Sequence, residues 1–186
     1  STVARVVSVE RDGITMGAKA IDGYLVGATV IFDGNGDYAS GSILEHCVVA
    51  YGGASTATVW SSDASPAILN CSIEDSGSKG MSLAADEGSI KVANNTVTRS
   101  ASGGIQCGSN SAVCEIRGNT ITDNSSPGVG TFRSGEVVID SNTILNHHDG
   151  NGMGAGVNVG GNETSVTVSD NVISSNDQGI RAEDAP

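Results

Sequence analysis

Aromatic side chains are nearly missing: two Phe, three Tyr and one Trp in 186 residues. A conventional globular core of this size would draw on more rings, so the shortage points to a narrow interior filled by small aliphatics. Proline is scarce, at 3 residues, and no shift in composition marks a second domain. Basic residues are few, with 9 Lys+Arg against 21 Asp+Glu and a net charge of −12. Such a balance argues against nucleic acid or an anionic membrane as partner, and suits a solvated surface exposed to divalent cations. No apolar run approaches the ~18 residues of a membrane span, so no insertion is expected. Neither an initiator Met nor a signal peptide stands at the start, so Ser1 reads as a cleaved or excised beginning.

What is abundant is glycine, at 26 residues, and a repeat. Asn95-Thr96-Val97, Asn119-Thr120-Ile121, Asn142-Thr143-Ile144 and Asn171-Val172-Ile173 share one pattern. Cys71-Ser72-Ile73 and Cys47-Val48-Val49 hold the same place upstream. The successive intervals are 24, 24, 24, 23 and 29 residues. Flanking columns agree. Leu44, Ile68, Val92, Ile116, Ile139 and Val168 stand three residues before each rung, and Val49, Ile73, Val97, Ile121, Ile144 and Ile173 two after it. About ten residues after it come Met81, Ile105, Val129, Val157 and Ile180, each preceded by Gly.

Each period therefore holds three short strands with one or two inward aliphatics, and Gly or polar residues at the corners. No 3.6-residue period is sustained, which excludes helices. A β-sandwich would show hairpin turns and alternation without a fixed 24-residue register. Like residues stack on like at about 4.8 Å, so Asn95, Asn119, Asn142 and Asn171 are expected to form a hydrogen-bonded structural ladder.

The segment Gly41-Ser42-Ile43-Leu44-Glu45-His46-Cys47-Val48-Val49-Ala50-Tyr51-Gly52-Gly53 has the form GSxLExCxVxYGG, and Ser65-Pro66-Ala67-Ile68-Leu69-Asn70-Cys71-Ser72-Ile73 the form SPxIxNCxI. Both resemble coils of the parallel β-helix repeat family, bacterial and archaeal secreted proteins related in fold to pectate lyases. The resemblance covers about residues 25–182. It implies an all-β, single-stranded, right-handed parallel β-helix of about six to seven coils in one domain, 1–186. Residues 1–41 are irregular first coils, 42–182 regular coils and 183–186 a tail. Within the first part, Val3 to Val9, Ile14 to Ala20 and Gly23 to Phe32 read as strands. On function the resemblance is nearly silent, because the family holds lyases, hydrolases, epimerases, adhesins and structural proteins.

Four features could carry more than the fold. Cys47 and Cys71 occupy one column in consecutive coils, within the Cα range of a disulfide, and Cys107 and Cys114 flank a corner. In a secretory-type fold two bridges are expected, Cys47–Cys71 and Cys107–Cys114; the other reading of Cys47 and Cys71 is a column of small buried thiols. Asp33, Asn35 and Asp37 alternate with glycine, as in a short loop that wraps Ca²⁺, although no Glu lies twelve positions on; a plain Gly-rich turn is the other reading. The 29-residue interval throws out a loop at 146–152 with His147, His148 and Asp149. In β-helix enzymes, catalytic groups sit on such lateral bulges, and a His/Asp pair could act as acid and base or bind a cation. The alternative is a solvent-exposed loop. Arg117 and Arg133 lie at least a coil away, and Asp75, Asp123, Asp140 and Asp170 are scattered over turns.

The fourth feature is the two ends of the stack, whose open edges either continue into a longer protein or meet other copies head to tail. Taken together, an extracellular or cell-surface β-helix module is expected. Its role would be structural, adhesive or glycan-contacting, with polysaccharide as a partner and end-to-end self-assembly open to it. The alternative is a carbohydrate-active enzyme, a polysaccharide lyase, hydrolase or epimerase, with its groove near the 146–152 loop.

Overall fold

The computed structural model describes residues 23–25, 31–32, 38–40, 42–132, 135–160 and 165–183. Among them there is no helix, and three parallel sheets run the length of a stack of about six coils. No helix among the described residues is long and apolar enough to cross a membrane.

Each coil contributes one strand to each sheet. Sheet A collects Gly23–Leu25, Ala57–Ser61, Lys79–Ala85, Gly103–Ser109, Val129–Phe132, Ala155–Gly160 and Gln178–Glu183. Sheet B collects Ile43–Glu45, Ala67–Leu69, Ser89–Ala93, Val113–Arg117, Glu136–Asp140 and Ser165–Ser169. Sheet C collects the three-residue strands Val48–Ala50, Ser72–Glu74, Thr96–Thr98, Thr120–Thr122, Thr143–Leu145 and Val172–Ser174. A short antiparallel pair, Ile31–Phe32 with Tyr38–Ser40, stands outside this pattern. The expected strands at 3–9 and 14–20 lie outside the described residues.

The register is the sequence period made physical. Val92 pairs with Ile68 below and Ile116 above, and Val97 with Ile73 and Ile121. All six are buried without measurable exposure. Met81, Ile105, Val129 and Val157 form the matching inward column on sheet A. A core built of stacked aliphatics one side chain deep explains why aromatics are dispensable here.

Sheets B and C are joined by a bend in which one residue takes positive φ and the next turns inward. His46, Asn70, Asn94, Gly118, Ser141 and Asp170 hold the first position, with φ between 52° and 64°. Asn, Asp and Gly tolerate this region best, which explains much of the column. The inward neighbours are the ladder. Asn119 Oδ1 accepts from the Asn95 backbone N–H at 2.9 Å and from Asn95 Nδ2 at 3.0 Å. Asn119 Nδ2 donates to Val92 O at 3.0 Å and to Asn142 Oδ1 at 2.9 Å. The same bonds tie Asn142 to Asn171. Inside the coil these amides satisfy backbone groups that the bend removes from the sheets.

The cysteines divide. Cys107 and Cys114 form a disulfide with Cα atoms 6.6 Å apart, both fully buried. In register with Leu83 and Ile90 of the coil below, the bridge stands where that coil has two aliphatics. The expected Cys47–Cys71 bridge is not formed, and both remain thiols. Each Sγ turns to the carbonyl two residues back instead, Cys47 to Glu45 O at 3.2 Å and Cys71 to Leu69 O at 3.1 Å. Burial raises both thiols, that of Cys71 to about 12. Alkylation of the native protein at about pH 8 is therefore expected to modify Cys47, slowly, and to spare Cys71 until the chain unfolds. Peptide mass mapping checks this; equal labelling of the two would contradict it.

Candidate functional site

The second bend of each coil, between sheets C and A, repeats the design of the first. Tyr51, Asp75, Arg99, Asp123, Asn146 and Ser175 hold its positive-φ position, with φ between 52° and 60°. The residues that follow, Gly52, Ser76, Ser100, Asn124, His147 and Asn176, form a second inward column. Sequence reasoning missed this column, although each member lies five residues after a rung of the first ladder. Ser100 N–H donates to Asn124 Oδ1 and His147 N–H to Asn176 Oδ1, both at 2.9 Å. Asn124 Nδ2 donates to Val97 O at 3.0 Å, and Asn176 Nδ2 to Ile144 O at 3.2 Å.

His147 is thus a rung, fully buried, rather than a member of an exposed loop. Its Nε2 lies 3.2 Å from Ile121 O, where the neighbouring rungs place an amide N–H, and its Nδ1 lies 3.1 Å from Asn124 O. A neutral imidazole has one N–H, so only one carbonyl is served, and the ladder geometry favours Nε2–H. Burial holds the His147 imidazole below its ordinary value of 6.5, against the two carbonyls and Asp123, which pull it upward.

The sign for stability follows. Between the lowered folded value and 6.5, the unfolded chain binds more protons than the folded one, so stability falls as pH drops below about 6.5. His147→Asn, which restores the residue type of its neighbours, is expected to flatten the melting temperature between about pH 7 and pH 5. Melting curves across that range check it, and an unchanged slope would reject the assignment.

The insertion itself follows His147. His148 does not meet Asp149; its Nδ1 pairs with Asp177 Oδ1 at 2.6 Å. Asp177 Oδ2 also accepts the N–H of Gly154 at 3.0 Å and of Asp149 at 3.3 Å. The carboxyl of Asp177 consequently lies below its usual range, held by His148 first and by the Gly154 N–H second. Asp149 Oδ1 caps the loop from within, accepting from Asn151 N–H at 2.8 Å and Met153 N–H at 3.0 Å. Asp177 belongs to the next coil, 29 residues after His148, so the pairing was invisible to local reading. The result is a braced protrusion carrying a half-exposed imidazole.

The loop runs straight into the strand Ala155–Gly160, whose Ala155 N–H donates to Ser126 Oγ at 3.3 Å. On the outer face of sheet A beside it lies a pocket of about 80 Å³, lined among others by Lys79, Gln106, Pro127, Gly130, Thr131 and Asn158.

Other expected groups are dispersed. Asp75 is paired with Arg99 at 2.7 Å, and Arg99 also holds Glu74 at 2.6 Å. Arg117 binds Asp140 at 2.8 Å, and Asp140 also accepts from Ser169 Oγ at 2.7 Å. Asp123 accepts from Asn146 Nδ2 at 3.2 Å. Asp170 occupies a first-bend position. Asp33, Asn35, Asp37 and Arg133 lie outside the described residues. Among the described residues, no group of three or more His, Cys, Asp or Glu is arranged to hold a metal ion.

Three parallel sheets, inward polar ladders at two corners and one lateral bulge define a parallel β-solenoid. The family model for the right-handed β-helix region matches residues 26–185, and the chain belongs to that family. Neither a curated protein nor a solved structure matches the chain.

Proposed function

We propose that this chain is an extracellular or cell-surface β-helix module that contacts glycans along the outer face of sheet A. The observation that carries the reading is the pocket on that face, set in a straight row of outward residues. Trp60, Ser82, Gln106, Gly130, Asn158 and Arg181 follow one another in register across six strands. Such a row is rigid, polar and spaced at about 4.8 Å, suited to an extended chain lying along the stack. The buried Cys107–Cys114 disulfide agrees with an oxidising exterior, and the charge of −12 with a well-solvated surface. Binding to a panel of immobilised polysaccharides tests it; failure to retain any of them overturns the reading. A Ca²⁺ ion at Asp33, Asn35 and Asp37 is part of the same proposal, and a melt unchanged by chelator would reject it.

A second reading, a carbohydrate-active enzyme, rests on the His148–Asp177 pair at 2.6 Å, an imidazole oriented by a carboxylate as a general base requires. Turnover of a uronate or neutral polysaccharide that disappears in His148→Ala would establish it. End-to-end self-association rests on the last described coil, where Val166, Val168 and Ile173 are only partly buried and Ile180 is 55% exposed. A monodisperse monomer by light scattering at high concentration would sink that part of the proposal.

A further inference from the structure

The chemistry of the sheet A pocket narrows what it can hold. Its volume of about 80 Å³ is far below the ~300 Å³ at which whole small-molecule sites begin, so it takes one substituent of a larger ligand. The notch exists because Gly130 has no side chain while its register neighbours, Gln106 and Asn158, each carry a carboxamide. A Cβ on Gly130 would lie 3.0 Å from Pro127 Cγ, so the pyrrolidine ring supplies an apolar wall. Thr131 is spoken for: its Oγ1 donates to Gly160 O at 3.2 Å and accepts from Gly160 N–H at 3.1 Å.

Two groups lining the pocket are unmatched. Among the described residues Lys79 forms no ion pair, whereas Arg99, Arg117 and Arg181 each hold a carboxylate. Asn158 Oδ1 is buried and has no hydrogen-bond partner. A buried carbonyl without a donor is unusual in a folded protein and marks a place where a donor is wanted. The pocket therefore offers an apolar wall, N–H donors on Lys79 and Gln106, and one unused acceptor.

Building on the glycan-contacting reading above, we propose that this pocket receives the acetamido group of an N-acetylated sugar in a glycan lying on sheet A. The Asn158 carboxamide turns about χ2 on binding, so that Oδ1 accepts the acetamido N–H. The acetamido carbonyl accepts from Lys79 or Gln106, and the methyl packs on Pro127. A uronate carboxylate would satisfy Lys79 but set a second acceptor against Asn158 Oδ1, and a hexose hydroxyl would leave the Pro127 wall without its methyl.

The test is calorimetric titration with four tetrasaccharides: N-acetylglucosamine, glucosamine, glucose and galacturonate oligomers. The N-acetylated oligomer is expected to bind at least about tenfold more tightly than the others, the equivalent of one good hydrogen bond with its contacts. Asn158→Leu is expected to reduce that binding about tenfold, with melting temperature used to confirm that the fold is kept. Equal binding of all four, preference for the galacturonate oligomer, or undiminished binding by folded Asn158→Leu overturns the acetamido site while leaving the glycan reading in place. Binding of none of the four, together with no retention on any polysaccharide, overturns both.

Discussion

Asn119→Ala is expected to destabilise the protein by about 4 kcal/mol, more than truncating any aliphatic next to it by a single methyl group. Asn119 stands at the middle of the first ladder and is 1% exposed. Its removal strips the Asn95 N–H and Nδ2 of their acceptor, and leaves Val92 O and Asn142 Oδ1 without its amide. Asn95 Nδ2 keeps Ile68 O and Asn142 Oδ1 keeps the Asn119 backbone N–H, so the loss falls on the buried Asn95 N–H, at about 1–3 kcal/mol for an unsatisfied group that water cannot reach, and on the packing lost with the side chain, about 2 kcal/mol more. Asn171→Ala removes the same kind of rung in the last described coil, where it is only partly buried. Water can enter there, so about half the effect is expected. Melting temperatures of the two variants, measured side by side, decide the matter. Equal losses would show that the ladder guides the chain path without contributing most where it is driest.

Gly128→Ala is the second large effect, about 3 kcal/mol, through overpacking of a site with no room to relax. An added Cβ would stand 2.5 Å from His147 Nε2, 2.6 Å from its Cδ2 and 2.7 Å from Gly156 O. Two of these atoms belong to a buried ring and the third is backbone, so none can swing aside. Gly128 itself is clamped from both sides, donating to Ala155 O and accepting from Ile105 N–H, each at 2.9 Å. Shrinking the ring with His147→Ser should recover only part of the loss, because Gly156 O remains. The same column supplies the control: Gly179 has nothing within 4 Å of an added Cβ, so Gly179→Ala should be near neutral. Denaturant midpoints for Gly128→Ala, Gly128→Ala with His147→Ser, and Gly179→Ala check the series. A large loss in Gly179→Ala would point to a general need for glycine rather than to packing against the second ladder.

The glycine column shows how far a sequence can be read. Gly80, Gly104, Gly128, Gly156 and Gly179 each precede an inward aliphatic, and this was plain from spacing alone. The reason was not. Gly80, Gly104, Gly128 and Gly156 each face the second-ladder side chain of the following coil: Ser100, Asn124, His147 and Asn176. In an early coil Thr58 holds the glycine position, and Gly52 of the same coil lies beside it, where a Cβ on Gly52 would press on Thr58 at 3.1 Å. The glycine is set by the side chain that faces it from the following coil, and only packing makes that visible.

The loop at 146–152 was legible as an interruption, because five extra residues in an otherwise constant period must leave the stack. Which of its residues face solvent was not legible. His147 keeps the backbone position of its column, so the bend drives it inward regardless of polarity, and the chain bulges only after it. His148 is then free to meet Asp177, a partner from the next coil.

By itself, then, the sequence determined the period, the three strands per coil, the ladder asparagines and the place of the bulge. Each of these follows from like residues stacking at one fixed interval, a property that survives in a linear text. The tertiary structure decided what depends on direction across the coil. It turned His147 into a buried rung, left Cys47 and Cys71 as thiols facing the carbonyls two residues before them, joined Cys107 to Cys114, and opened a pocket at Gly130 between two carboxamides. Those outcomes depend on which way a Cβ points and what occupies the volume in front of it, and neither quantity is written along the chain.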